Sequence, residues 1–234
     1  MQIMPLGDSA LLVQLGERID EPTHARVQAA AQAIESGQLP AVTEVVPAYT
    51  TLTVFYNPAQ AVGTGAPEAD VHGWLAEQVR KRLAGLPANP KVVSGRTVEV
   101  PICYDEAYAP DLADVSRQTG VSPEEVVRLH LQSEFLVYLI GFAPGFPYMG
   151  GLPAKLAMPR RATPRVRVDP GSVGIIGTQC CIYPIETPGG WNLIGRTPLR
   201  LYRPESSPPV LLRAGDRVRF SAITRAEFEE WREA

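Results

Sequence analysis

The pattern of hydrophobic positions divides the chain into two parts of different character. In the first part, apolar runs alternate with helical periodicity in the order strand, helix, two strands, helix. SALLVQLG at 9–16 is strand-like, and the Ala-rich stretch at 21–37 predicts a helix that ends at a glycine. The stretch 42–58 predicts two strands separated at Pro47. This order predicts a small ferredoxin-like α/β domain with two helices on one face of a sheet. The second helix carries an apolar stripe formed by Val71, Leu75, Val79 and Leu83.

The second part begins after a connector rich in proline and glycine, LPANPKVVSGRT at 86–97. Two short helices follow, one starting at Asp111 and one with a Ser122-Pro123 start. From Phe135 to about Ile223, short strands alternate with glycines and prolines, which predicts a β-barrel or sandwich. We therefore expect an α+β protein with an N-terminal domain at 1–90 and a barrel domain at 91–234.

Composition narrows the function classes. The chain has 234 residues, is 45% hydrophobic and carries a net charge of -3, so no nucleic-acid partner and no acidic membrane surface is indicated. The longest apolar run, 135–143, is too short to cross a bilayer. Asp8 and the absence of a basic segment near the start argue against a secretory signal, and three cysteines do not make a disulfide framework. We expect a cytoplasmic protein.

Several nucleotide and catalytic motifs are missing from the sequence. The glycines of GSVGIIG at 171–177 have the wrong spacing for a dinucleotide fingerprint, and neither a P-loop nor a G-x-S-x-G elbow occurs. The three histidines lie on separate predicted helices without H-E-x-x-H spacing. No metal site is predicted.

His130 and the adjacent pair Cys180 and Cys181 are the candidates for reactive side chains. His130 follows Val126 and Val127 by one helical turn and so lies on the inward face of its helix. Such a residue is either a core histidine or a general base. The two cysteines alternate across a predicted strand, and no neighbour in sequence lowers their pKa, which favours plain packing.

Arginines concentrate in MPRRATPRVRVDPG at 158–171. Arg165 and Arg167 are two residues apart, so on a strand both guanidinium groups share one face, with Arg160 and Arg161 just before them. This face is suited to binding an anion, or else it protects a solvated edge strand from aggregation.

Two further stretches combine fixed backbone paths with large rings. GFAPGFPYMGG at 141–151 has four glycines, two prolines and three aromatic residues, and we expect it to leave a strand at Gly141 and turn at Pro144-Gly145. ETPGGWNLIGRTP at 186–198 adds a carboxylate, an amide and a guanidinium, which can bind a small amide or carboxylate or simply complete a tight turn.

Taken together, these stretches resemble the 5-oxoprolinase B-subunit (PxpB) family, also called the KipI or allophanate hydrolase subunit 1 family. The matching text is VYLIGFAPGFPYMGGLP, PRRATPR, PGSVGIIGTQ and IYPIETPGGWNLIGRTP, with RLH at 128–130. The resemblance implies a cyclophilin-like β-barrel after the N-terminal domain. It also implies a complex with a larger PxpC/KipA-type subunit and a LamB/YcsF-like PxpA-type subunit, which hydrolyses 5-oxo-L-proline to L-glutamate with ATP.

The resemblance also suggests site residues. ATP would phosphorylate the lactam oxygen, and arginines and backbone N–H groups would stabilise the developing charge. The expected catalytic residues around a barrel pocket are His130, Arg165, Asn192 and Arg196. The expected substrate- or partner-binding residues are Phe142, Pro144, Gly145, Phe146, Tyr148, Arg160, Arg167, Gln179, Glu186 and Trp191.

Two other functions remain open at this stage. Family members also include an inhibitor of a sporulation histidine kinase, a role that needs a surface and no chemistry. Relatives form the carboxyltransferase part of urea carboxylase. All three roles use a small amide-like molecule or a protein partner.

Overall fold

The computed structural model describes residues 1–87, 90 and 95–231. The chain divides into two compact units, Met1–Val93 and Ser94–Ala234. Half of the predicted connector at 86–97 lies outside the described residues. No helix of the described part is both long and apolar enough to cross a membrane.

The first unit is a four-stranded antiparallel sheet with helices packed against it. Its strands are β1 (Gln2–Pro5), β2 (Ala10–Gln14), β3 (Val42–Pro47) and β4 (Thr51–Tyr56), in the order β1-β2-β4-β3. Its helices are α1 (Glu21–Gly37), α2 (Pro58–Gly63) and α3 (Val71–Leu83), with a 3-10 turn at Glu68–Asp70. Leu75, Val79 and Leu83 of the predicted stripe are buried in the core of this unit.

The expected ferredoxin-like topology is not confirmed in this unit. An extra strand, β1, forms a hairpin with β2 before the first helix. The central strands β2 and β4 pair antiparallel, and α1 connects β2 to β3, which lies on the far side of β4. β1 occupies the edge of the sheet beside β2, and within the described residues no strand of this sheet follows α3.

The second unit is built on a closed barrel, so the predicted β-barrel is confirmed. Seven strands close in the order β10-β7-β6-β13-β5-β12-β9, and all neighbours are antiparallel except β13 and β5. Two short strands, β8 and β11, pair with each other as a separate ribbon. The strands of the second unit are β5 (Thr97–Cys103), β6 (Phe135–Ile140), β7 (Pro147–Gly150), β8 (Arg165–Val168), β9 (Ser172–Ile176), β10 (Gln179–Ile182), β11 (Thr187–Gly189), β12 (Asn192–Arg196) and β13 (Arg217–Ile223).

Three helices accompany the barrel, and their ends follow the sequence signals. The helices are α4 (Leu112–Thr119), α5 (Pro123–Leu131) and α6 (Arg225–Glu230), with a 3-10 turn at Ala154–Leu156. Ser122 caps α5 by accepting from the Glu125 N–H, and Gly120 ends α4 in a left-handed conformation. Thr224 and Glu227 form a complete capping box on α6.

Candidate functional site

The 141–151 loop leaves β6 after Ile140 and turns before β7. The Gly141 N–H donates to the Phe146 carbonyl at 3.1 Å, and the Phe146 N–H donates to the Ala143 carbonyl at 3.0 Å. Gly145 has φ +80 and fits against the Leu201 carbonyl, where a side chain would be crowded. Phe142 has φ +69 although it is not glycine, and its side chain is 66% exposed. The loop is therefore one fixed turn that presents a phenylalanine to solvent.

Five aromatic rings cluster behind this turn, with Phe146 at the centre. The Phe146 ring centroid lies 4.9 Å from that of Tyr148 and 5.2 Å from that of Tyr183, the second contact being edge-on. Phe142 and Trp191 approach the same ring at 5.3 Å and 6.3 Å. These separations lie within the range in which aromatic pairs attract each other beyond simple burial. Phe146 and Tyr183 are buried, so the more exposed rings pack against side chains that are fixed in the core.

The aromatic cluster forms one wall of a cleft of about 540 Å³, which we call the aromatic cleft. This volume lies within the range typical of small-molecule sites. The aromatic cleft is lined by Phe142, Phe146, Tyr148, Arg160, Pro164, Ile176, Gln179, Tyr183, Pro188, Gly189, Gly190 and Trp191. The structure thus brings together six of the residues that the sequence suggested: Phe142, Phe146, Tyr148, Arg160, Gln179 and Trp191.

Arg165 does not face the aromatic cleft, because its side chain is bound to a buried carboxylate. Arg165 Nη2 lies 2.7 Å and Arg161 Nη1 lies 2.8 Å from Asp111 Oδ1. The second oxygen, Oδ2, accepts from the Leu193 N–H at 2.7 Å. Asp111 is 2% exposed, so this carboxylate holds the arginine segment onto β12. Arg165 thus anchors this segment, and a catalytic role for it stays a prediction.

His130 lies in the core of the barrel unit and not at the aromatic cleft. Its ring is fully buried against Phe135 and Phe220, at centroid distances of 5.0 and 4.6 Å. Its Nδ1 is 2.7 Å from the Tyr104 hydroxyl, and its Nε2 is 3.5 Å from Cys180 Sγ. Burial lowers the pKa of His130 to about 3, so the ring is neutral at physiological pH. A fully enclosed imidazole cannot reach a ligand in the cleft, and the core-histidine alternative fits its surroundings.

The two adjacent cysteines point to opposite sides of β10, as their alternation predicts. Cys180 lies in the barrel core, and Cys181 lies beneath the aromatic cluster beside Phe146 and Tyr183. Burial raises the pKa of the Cys180 and Cys181 thiols, so both remain protonated. Both side chains serve packing.

Asn192 is buried and makes structural hydrogen bonds. Its Nδ2 donates to the Pro159 carbonyl at 2.9 Å and to the Ile175 carbonyl at 3.2 Å, which ties the arginine segment to β9. Trp191 precedes it and points to the aromatic cleft, so strand alternation places the amide on the other side. Asn192 thus positions the arginine segment, and a catalytic role for it stays a prediction.

Arg196 and Glu186 line a second cleft, of about 770 Å³, instead of the aromatic cleft. Arg196 Nε donates to the Pro170 carbonyl at 2.8 Å, and its Nη1 lies 3.4 Å from Asp169 Oδ2. Glu186 forms an exposed ion pair with Arg167 at 2.9 Å. The site residues predicted from the sequence therefore do not form one site. Arg196 and Glu186 lie at the second cleft, and Pro144 and Gly145 lie at the tip of the 141–151 loop.

The sequence did not reveal three residues that shape this region. Asp111 carries only a helix-start signal in the sequence, and Tyr104 and Tyr183 carry no motif. Asp111 is 50 positions from Arg161, and no local pattern links a helix N-terminus to a strand so far along the chain. In the described part of the chain, no group of three or more His, Cys, Asp and Glu side chains is arranged to hold a metal ion.

The fold and the cleft define a class of protein. Residues 1–212 match the family "Carboxyltransferase domain, subdomain C and D". Crystal structures show the same architecture: the chain aligns with the Kluyveromyces lactis urea amidolyase at a TM-score of 0.79 and 19% identity, covering 97% of this chain and 15% of that one. This likeness concerns the fold alone.

Closer relatives are found within the class. The chain is 44% identical to a protein of Bacillus subtilis (strain 168) that is named as the B subunit of 5-oxoprolinase, covering 99% of this chain and 97% of that protein. It is 39% identical to the protein of the same name from Haemophilus influenzae, covering 94% and 97%. The chain therefore belongs to the carboxyltransferase subdomain C and D family and, within it, to the 5-oxoprolinase B-subunit family. It also aligns with the crystal structure of TTHA0988 at 36% identity and a TM-score of 0.76, over 92% of this chain and about 40% of that one.

Proposed function

We propose that this chain is the B subunit of an ATP-dependent 5-oxoprolinase, which hydrolyses 5-oxo-L-proline to L-glutamate. Its partners in this proposal are a larger PxpC/KipA-type subunit and a LamB/YcsF-like PxpA-type subunit, and the chain by itself is inactive. The near full-length similarity to proteins named as the B subunit of 5-oxoprolinase supports the assignment. A cyclophilin-like barrel and a cytoplasmic location belong to the same proposal.

The single structural observation that carries the proposal is the aromatic cleft. It gathers six of the suggested residues from four separate sequence stretches around one cleft. Its rim carries Phe142, an exposed ring in a strained backbone conformation. Strain and exposed apolar surface both cost stability, and a protein retains them most readily where another molecule is bound. The cleft is therefore where this chain meets the substrate or the subunit that delivers it.

The chemistry of a lactam explains why the complex needs ATP. A five-membered lactam is a stable amide, and phosphorylation of its oxygen creates a leaving group and a strong electrophile for water. ATP is a co-substrate of the complex in this scheme. The role of this chain is to bind and orient, because the described side chains at the cleft hold aromatic faces and one cation.

Reconstitution tests the proposed function. We expect the chain, co-expressed with the two partner subunits, to support ADP and glutamate release that depends on 5-oxo-L-proline. Complexes that lack this chain, and the chain alone, are the matched controls and should release neither product. An intact three-subunit complex that releases no glutamate above these controls would contradict the proposal.

Replacing Phe142 with alanine tests whether the cleft rim is used. We expect kcat/KM for 5-oxo-L-proline to fall about fivefold, because an aromatic contact is worth roughly 1 kcal/mol. The stability of the chain should change little, since the ring is 66% exposed. Val166→Ala is the control, because this apolar side chain is 89% exposed and lies outside the cleft. Equal activity of both variants would exclude the rim from function.

A further inference from the structure

Arg160 is held at the aromatic cleft by hydrogen bonds on both sides of its backbone. On one side, the Asn192 amide donates to the Pro159 carbonyl at 2.9 Å. On the other, the Arg161 N–H donates to the Gly190 carbonyl at 3.0 Å. The next anchor is the Arg161 side chain on buried Asp111. The main chain at Arg160 is thus fixed before any ligand arrives, which lowers the entropy cost of binding.

The floor of the cleft is shaped to accept the Arg160 side chain. A Cβ atom at Gly190 would lie 2.8 Å from Arg160 Nε, closer than carbon and nitrogen can approach. The neighbouring Gly189 has no room for a side chain either, because the Tyr183 hydroxyl occupies that space. The two glycines therefore let a guanidinium and a phenol lie directly against the backbone.

Within the described part of the chain, no carboxylate pairs with Arg160. The other arginines of its segment and of β12 have carboxylate partners: Arg161 and Arg165 pair with Asp111, Arg167 with Glu186 and Arg196 with Asp169. Over the described residues, no hydrogen bond or ion pair joins the Arg160 guanidinium. Burial raises the pKa of the Tyr148 and Tyr183 hydroxyls, and the Arg160 charge only partly opposes this shift, so both phenols stay neutral. The cleft therefore presents one cation beside aromatic faces.

We propose that the aromatic cleft binds a small lactam ring bearing a carboxylate, with the carboxylate on Arg160 and the ring against Tyr148 and Trp191. A guanidinium binds a carboxylate through two parallel hydrogen bonds, and this geometry recognises the group as well as its charge. The Tyr148 and Trp191 rings, 6.1 Å apart, supply flat apolar surface for the remainder of the ligand. This inference rests on the proposed function, since 5-oxo-L-proline is such a molecule. Arg160 is then the residue that distinguishes it from an uncharged lactam.

Arg160→Gln in the three-subunit complex is the principal test. We expect the KM for 5-oxo-L-proline to rise about 10- to 100-fold, with a smaller change in kcat. This rise corresponds to the loss of the binding free energy of a pair of charge-assisted hydrogen bonds. The variant should also lose the preference for 5-oxo-L-proline over 2-pyrrolidinone, the same ring without its carboxylate, when the two compete for the complex. Arg160→Lys should give an intermediate KM, because it keeps the charge and loses the bidentate geometry.

Arg117→Gln is the control, since it removes the same charge from an exposed ion pair on α4. An unchanged KM in Arg160→Gln, with an active wild-type complex, would overturn the inference and leave the proposed function standing. Failure of Arg160→Gln to assemble with the partner subunits, with Arg117→Gln assembling normally, would also overturn it and would assign the cleft to a protein contact.

If the wild-type complex is inactive, the proposed function fails. In that case, the binding of 5-oxo-L-proline and of 2-pyrrolidinone to the full chain is measured by intrinsic tryptophan fluorescence in the wild type and in Arg160→Gln. Tighter binding of 5-oxo-L-proline by the wild type alone supports the inference, and equal binding by both proteins overturns it.

Discussion

Replacing Asp111 with alanine is expected to lower the free energy of unfolding by about 3–5 kcal/mol. The substitution leaves the guanidinium groups of Arg161 and Arg165 in a half-buried place without their counter-charge. It also removes the acceptor for the buried Leu193 N–H. An unpaired buried charge and an unpaired buried donor are both costly, and here one side chain serves all three groups. Urea denaturation of the purified chain measures the loss.

Asp114→Ala provides the control for this prediction. Asp114 lies on the same helix and pairs with Arg117, but both side chains are exposed, and such pairs contribute about 0–1 kcal/mol. The two variants change the net charge equally, so the difference between them reports burial. A loss below about 1 kcal/mol in Asp111→Ala would show that the cluster does not anchor the arginine segment. In the assembled complex, Asp111→Ala should also raise the KM for 5-oxo-L-proline, because Arg160 loses part of its support.

Acidification is expected to destabilise the barrel unit through His130. The pKa of this residue is about 3 in the folded protein and about 6.5 in the unfolded chain. Between these values the unfolded chain binds a proton that the folded protein does not. The free energy of unfolding is therefore unaffected by this residue above pH 6.5, and it decreases as the pH falls towards 3. The cost is roughly 2–3 kcal/mol at pH 4.5 and on the order of 4 kcal/mol at the end of the window. No counter-charge offsets it, because burial also raises the pKa of the Tyr104 and Cys180 groups that contact the ring.

His130→Gln isolates this contribution, because glutamine keeps hydrogen-bonding capacity and does not titrate. The free energies of unfolding of both proteins are compared at about pH 7 and about pH 4.5. The wild type should lose more stability than the variant over this interval. His24, whose pKa burial lowers to about 4, titrates in both proteins and cancels in the comparison. Parallel losses in the two proteins would show that His130 is accessible to protons in the folded state.

Features that depend on nearby residues were predictable from the sequence. The capping signals at Ser122 and Thr224 place the starts of α5 and α6, because the cap side chain and the N–H that it binds lie three residues apart. Pro47 ends β3 before β4 begins. The glycines and prolines of the 141–151 loop likewise specify a turn, since each restricts its own backbone.

The partners of the polar side chains were not predictable in this way. His130 was correctly placed on an inward face, but the sequence could not show whether that face met a pocket or a closed core. Arg165 was expected to bind an external anion, and Asp111, far away in sequence, supplies the anion from within. Asn192 and Arg196 lie in the same stretch as Trp191. Their side chains, however, donate hydrogen bonds to backbone carbonyls and do not line the aromatic cleft.

The sequence by itself determined the barrel class of the second unit, the starts of α5 and α6, and the stretches that supply most of the aromatic cleft. Only the tertiary structure decided that Arg160, among several neighbouring arginines, faces the cleft with an unbalanced charge. The physical reason is that a strand or loop pattern fixes alternation over a few residues, whereas charge balance depends on which distant segments barrel closure brings together. The same closure turned His130 from a candidate base into a neutral core residue.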